Sequence, residues 1–135
     1  MRTHKTTASL GPVRTIQDVE EIERRTYDEL VSSQNLYEVF LANAALHGDC
    51  DALTVLESAD PDESATTRTH AELLMDVTRM ANLFSRLGAT RDTVISILSR
   101  THPEVPALIW GAEVTGVANC INYLLSAEVI ATLLN

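Results

Sequence analysis

Residues 69–122 switch back and forth between helical and strand-like hydrophobic patterns, and few folds satisfy that alternation. Leu73, Val77, Met80, Phe84 and Leu87 recur at spacings of four, three, four and three, which draws one apolar stripe along a helix. Thr69 and Glu72 have capping-box spacing: the threonine oxygen takes the amide of the third helical residue and the glutamate reaches back. Gly88 supplies the stop, so a helix is predicted over 70–87. The next segment, 93–98 (TVISIL), is β-branched and apolar, as a buried parallel strand is. Pro103 and Pro106 suit the opening turn of a helix, where a missing N–H costs little. Residues 107–114 are apolar on nearly all sides, which predicts a helix packed on more than one face. Gly116 ends it and 117–122 (VANCIN) reads as a second strand. If the two strands are parallel neighbours, the crossover between them is right-handed. The fold class is α/β.

The flanking segments are shorter and more polar. Residues 1–14 read as a flexible tail, and 15–34 as a leader helix and linker. Thr15 opens that helix, predicted over about 15–25, with Ile16, Val19 and Ile22 on one side and acids around them. Asn35 as N-cap, Glu38 three residues on and Gly48 as the stop bound another helix. Residues 53–57 (LTVLE) are expected as a strand, 58–66 as a polar loop, and Thr66–Thr69 as the returning arm of a hairpin. Ser126 caps a last helix with Glu128 in its first turn and Val129, Ile130, Leu133 and Leu134 as its apolar face.

Charge narrows the function classes. The chain carries 19 acidic and 10 basic residues in 135, a net of −9, and phosphate-backbone binding needs clustered Lys and Arg, so a nucleic-acid partner is not expected. Residues 1–67 hold thirteen of the acids against five bases. That half reads either as a solvated face or as a docking surface for a basic partner. Lys5 is the one lysine, and it sits in the polar tail, so any mechanism needing a buried or catalytic lysine lacks its residue. Cys50 and Cys120 are far apart and form no CxxC pair, which suits a reducing compartment. The N-terminal residues lack the apolar run of a signal peptide, and no apolar run is long enough to span a bilayer. The expected localisation is cytoplasmic.

Motifs with chemistry are few. The five glycines form neither GxGxxG nor GxxxxGK[ST], and no serine sits in GxSxG. His47 and Cys50 have metal-like spacing, but zinc wants three or four ligands, and His47 also reads as a last-turn helix residue. The acid pairs Glu20–Glu21 and Asp60–Asp62 lie in stretches expected to be exposed, not in a cleft. No catalytic, cofactor-binding or metal residue is assigned.

The order of segments nevertheless resembles a known family. It runs from Thr69-His70-Ala71-Glu72-Leu73 through Leu87-Gly88, a strand, Thr101-His102-Pro103-Glu104, a helix ending Val114-Thr115-Gly116-Val117, and a strand ending Ile121-Asn122-Tyr123. These segments resemble the opening region of AMP-forming acyl-CoA synthetases, of the adenylate-forming ligase superfamily. There the corresponding patterns are T-[YW]-x-E-L, L-G, N-x-P-E, A-G-[AI] and x-N-P. The upstream stretch NLYEVFLANAALHGDCDALTVLE falls in the matching place, and VRTIQDVEEIER resembles leaders on some bacterial fatty-acyl-CoA synthetases. His70 stands for the usual aromatic, Tyr123 for the usual proline, and Asp51 where a proline-containing approach is common. The departures touch packing and turn geometry.

The resemblance implies a partial N-terminal subdomain of the adenylate-forming ligase fold over residues 35–135, with a β-hairpin and a β-α-β unit flanked by helices. Family members activate a carboxylic acid with Mg-ATP to an acyl-adenylate and pass the acyl group to coenzyme A. Their phosphate loop, ribose-binding aspartate, magnesium-coordinating glutamate and catalytic lysine match nothing in residues 1–135. ATP, Mg and CoA are therefore implied for the full-length family and not for this fragment, and the chain is expected to be inactive alone. Two alternatives stay open. One is a non-catalytic interaction module, self-associating or completed by a partner ligase chain through an open sheet edge. The other is an unrelated α/β binding domain with its pocket at the carboxyl ends of the strands, near residues 99–102 and 122–124.

Overall fold

A computed structural model describes residues 11–31, 33–56, 58, 62 and 65–134. The chain divides into two compact units, Met1–Asn35 and Leu36–Asn135. The predicted tail through residue 10, Lys5 with it, and most of the loop 58–66, including Asp60, lie outside the described residues.

In the first unit, α1 spans Ile16–Glu23 and α2 spans Tyr27–Leu30. Thr15 caps α1: its Oγ1 accepts the Asp18 amide at 3.3 Å, and the Asp18 carboxylate accepts the Thr15 amide at 2.8 Å. The helix stops two residues before the predicted end. Arg24 and Arg25 instead reach back to Glu20 and Glu21 at 3.9 and 3.8 Å. The short α2 was not expected from hydrophobic periodicity, because a single turn has no period to read. Its signal is the spacing of Thr26 and Glu29, whose carboxylate takes the Thr26 amide at 2.8 Å.

In the second unit, the order is α3 Leu36–His47, β1 Asp51–Val55, β2 Thr66–Thr69, α4 His70–Arg86, β3 Val94–Leu98, α5 Val105–Thr115, β4 Val117–Ile121 and α6 Ala127–Leu134. This is the expected α/β sequence of a hairpin followed by a β-α-β unit. β1 and β2 pair antiparallel, and β3 and β4 pair parallel, with Val94 opposite Val117 and Leu98 opposite Ile121.

The predicted strand 53–57 is corrected to Asp51–Val55. The reason is the pairing with the far end of the hairpin. The amides of His70 and Ala71 donate to the carbonyls of Cys50 and Gly48 at 3.0 and 3.1 Å, so pairing starts as soon as the chain leaves α3. A register irregularity between Asp51 and Leu53 absorbs the early start.

α4 is the helix on which the others pack. Thr69 accepts the Glu72 amide at 3.2 Å and Glu72 accepts the Thr69 amide at 2.9 Å, which completes the capping box. Its stripe is buried at Leu73 and Val77 and half-buried at Met80 and Phe84. Leu87 was expected on that stripe, yet it is 75% exposed. It lies past the last helical turn, just before Gly88 takes the left-handed conformation at φ 90°. Phe40, Leu73 and Val77 form the centre of the core, with Leu36, Leu53, Trp110 and Val114 around them. The Phe40 and Trp110 rings meet at 5.2 Å in a tilted pair.

α5 crosses close to α4 because Gly111 has no side chain. A Cβ there would stand 2.4 Å from the Met80 Cβ. Two hydroxyls fasten the helices. Thr115 Oγ1 lies 3.3 Å from the Ala81 carbonyl, across the helix–helix contact, and 3.0 Å from its own helix's Gly111 carbonyl. Thr78 gives its one hydroxyl proton to the Leu74 carbonyl at 2.7 Å, so the Tyr37 hydroxyl 3.1 Å away is the donor to Thr78.

Candidate functional site

In an open parallel sheet the strand carboxyl ends face a crevice, because the chain leaves both strands on that side. A cleft of about 290 Å³ lies there. β3 supplies Ile97 and β4 supplies Cys120 and Ile121, while α5 supplies Val105, Pro106 and Ile109. The loop between β3 and α5 adds Ser99, Arg100, Thr101 and His102, and Val55 comes from the end of β1. The floor is thus apolar and the rim polar, which is the ordinary build of a small-ligand pocket.

Burial orders these residues. Ile97 and Ile121 are 8% and 6% exposed, whereas the segment 99–102 is exposed throughout. The Ser99 hydroxyl donates to the Arg100 carbonyl at 2.9 Å, and the Val105 amide to the His102 carbonyl at 3.0 Å, so the loop is held by its own backbone. His102 Nδ1 lies against the Glu104 carboxylate. The Arg100 guanidinium has no ion-pair or hydrogen-bond partner among the described residues.

Of the two loops predicted to frame a pocket, the structure uses one. Residues 99–102 line the cleft, but Asn122, Tyr123 and Leu124 do not. Asn122 turns inward on its own segment, its Oδ1 taking the Leu124 amide at 3.0 Å and its carbonyl the Leu125 amide at 3.2 Å. Sequence reasoning missed Val55 and Cys120. Val55 arrives through the hairpin and had no local signal; Cys120 follows once 117–121 is read as a strand ending at the pocket.

The other sequence candidates lie elsewhere. His47 faces His70, with ring centroids 6.0 Å apart, and Cys50 is exposed nearby in the chain. Among the described residues no three His, Cys, Asp or Glu side chains converge as a metal ion requires. Glu20 and Glu21 are engaged on the surface of α1 by Arg24 and Arg25. No described helix is long and apolar enough to cross a membrane. A second, more polar depression of about 410 Å³ lies between α3, α4 and α5, where Tyr37, Thr78 and Thr115 are committed to the helix contacts already described.

No family model matches the chain. Solved structures do. A long-chain-fatty-acid CoA ligase from Rhodopseudomonas palustris superposes with a TM-score of 0.64 and 29% identity, over 74% of this chain and 24% of that one. The fold is part of that of the adenylate-forming ligases. The N-terminal domain of FACL13 from Mycobacterium tuberculosis shares it at the same TM-score and 23% identity, over 76% of this chain and 25% of that one. Among curated proteins, atromentin synthetase invA2 of Paxillus involutus is 25% identical over 119 residues, which is 88% of this chain and 12% of the relative. The chain spans about a quarter of the solved ligase chains and about an eighth of the curated relative. Set against the ligase fold, the hairpin and the β-α-β unit are the elements that the resemblance in residues 35–135 led one to expect, and the chain resembles the N-terminal region of an AMP-forming acyl-CoA synthetase.

Proposed function

We propose that this chain is the N-terminal part of an acid–CoA ligase and that its 135 residues do not carry out the reaction alone. The supporting observation is the 29% identical match to a long-chain-fatty-acid CoA ligase. The reaction is the ATP-dependent activation of a fatty or other carboxylic acid to an acyl-adenylate, followed by transfer of the acyl group to coenzyme A. Mg-ATP and CoA belong to the complete enzyme, which works in the cytoplasm. Among the described residues no three His, Cys, Asp or Glu side chains converge, and no residue of this chain is assigned to the magnesium ion. No step of the chemistry is assigned to them. Their contribution is a folded subdomain carrying a sheet that the rest of a ligase extends.

The outer surface of that sheet supports the second half of the proposal. Parallel sheets are covered on both faces in complete domains. Here Val94, Leu98 and Val117 are 59, 51 and 49% exposed. A ligase segment, in the same polypeptide or in a partner chain, is the cover that fits this face. Purified chain incubated with ATP, Mg²⁺, CoA and palmitate should release no pyrophosphate above a no-enzyme control. Palmitoyl-CoA formation by the chain alone would overturn the claim of inactivity.

A further inference from the structure

We infer that His47 and His70 hold a zinc ion between them, as a two-imidazole chelate whose other positions are taken by water. His47 closes α3 and His70 opens α4, with ring centroids 6.0 Å apart and ring planes inclined by 48°. A ligating imidazole nitrogen stands about 2 Å from zinc, so two rings on one tetrahedral ion have centroids about 5 Å apart. A side-chain rotation that brings the rings about 1 Å closer completes that geometry. Neither imidazole makes a hydrogen bond or ion pair among the described residues, whereas His102 is engaged by Glu104.

The backbone fixes the pair. The Cys50 amide donates to the His47 carbonyl at 2.9 Å, the His70 amide to the Cys50 carbonyl at 3.0 Å, and the Ala71 amide to the Gly48 carbonyl at 3.1 Å. Both rings therefore project from one hydrogen-bonded frame, and binding orders little beyond two side-chain rotamers. His47 is exposed and His70 half-buried, so an ion reaches them from solvent. No third His, Cys, Asp or Glu side chain joins them among the described residues. The site is thus not a closed structural one; it captures an exchangeable ion of the kind that imidazole nitrogen suits. The inference does not depend on the ligase reading, which concerns what the chain becomes part of.

Isothermal titration of the untagged 135-residue chain with zinc chloride, near neutral pH and with a phosphine reductant, tests it. One ion per chain is expected, with a Kd of about 1–100 µM, the range left when half the ligands of a closed site are present. His47→Gln is expected to weaken binding about tenfold or more, because one imidazole cannot chelate. Cys50→Ser, and the joint replacement His4→Ala with His102→Ala, should each leave the affinity within about twofold. Zinc at about ten times its Kd should raise the Tm by about 3–6 °C, and the rise should vanish in His47→Gln. In the imidazole NMR spectrum the His47 and His70 signals should move together on titration. His47 is exposed, so its variant folds, and a matching circular dichroism spectrum checks that. No saturable zinc binding, an unchanged affinity in His47→Gln, a shift of one imidazole without the other, or loss of binding in Cys50→Ser overturns the inference.

Discussion

Gly111 and Val77 sit where α4 and α5 touch, and each leaves no slack. A methyl group at 111 would have to enter space held by the Met80 Cβ and the Ala81 backbone nitrogen, at 2.4 and 3.0 Å. Gly111→Ala is therefore expected to cost about 1–3 kcal/mol through overpacking, even though alanine is the better helix former. Val77 is fully buried, and Val77→Ala is expected to cost about 2 kcal/mol through lost burial and a residual cavity. Urea denaturation should show both as a lower midpoint with an unchanged slope.

Asp18 gives a pH-dependent counterpart. The Arg14 and Thr15 backbone amides hold its carboxyl below the usual aspartate range, with a smaller contribution from the Thr15 hydroxyl. A lowered folded-state value stabilises above the unfolded value, about pH 4, and the contribution is lost as pH falls through the folded value. The amide shifts of Arg14 and Thr15 should therefore move together on acidification below about pH 4. Asp18→Asn should abolish that movement.

At the scale of elements, α4 depends on its cap. Thr69→Ala removes the acceptor of the Glu72 amide and is expected to destabilise by about 1 kcal/mol, with Thr69→Ser near wild type. The same helix shows what a sequence discloses. Its start, stripe and stop are local, so Thr69, Leu73, Val77 and Gly88 could be read directly. The strand 94–98 and the apolar helix 105–115 were equally legible, because composition and punctuation agree there. The start of β1 was not, since it is set by backbone bonds from His70 and Ala71 to residues some twenty positions earlier. Four of the eleven residues lining the candidate site were legible from local pattern. The loop 99–102 follows a strand and so falls at its carboxyl end, but Val55 enters through a pairing that no local pattern encodes.

Among the described residues several large apolar side chains stand exposed on the sheet and on α6. Besides the sheet residues, α6 leaves Val129, Leu133 and Leu134 at 44, 53 and 56% exposure. Surfaces of this kind mark contacts or association. Hydrophobic-dye fluorescence should accordingly be high for the chain alone, and replacing Val94 and Leu98 together by Thr should lower it without loss of helicity. A dim, strictly monomeric chain would count against an uncovered face. The central claim is that these elements are part of a ligase. The most direct measurement is complementation: the chain is co-expressed with the R. palustris ligase from which the matching quarter has been deleted, and ATP-dependent acyl-CoA formation is assayed in the co-purified complex. The expected result is a stable complex whose activity exceeds that of either part. Two parts that purify separately and stay inactive when mixed would contradict it.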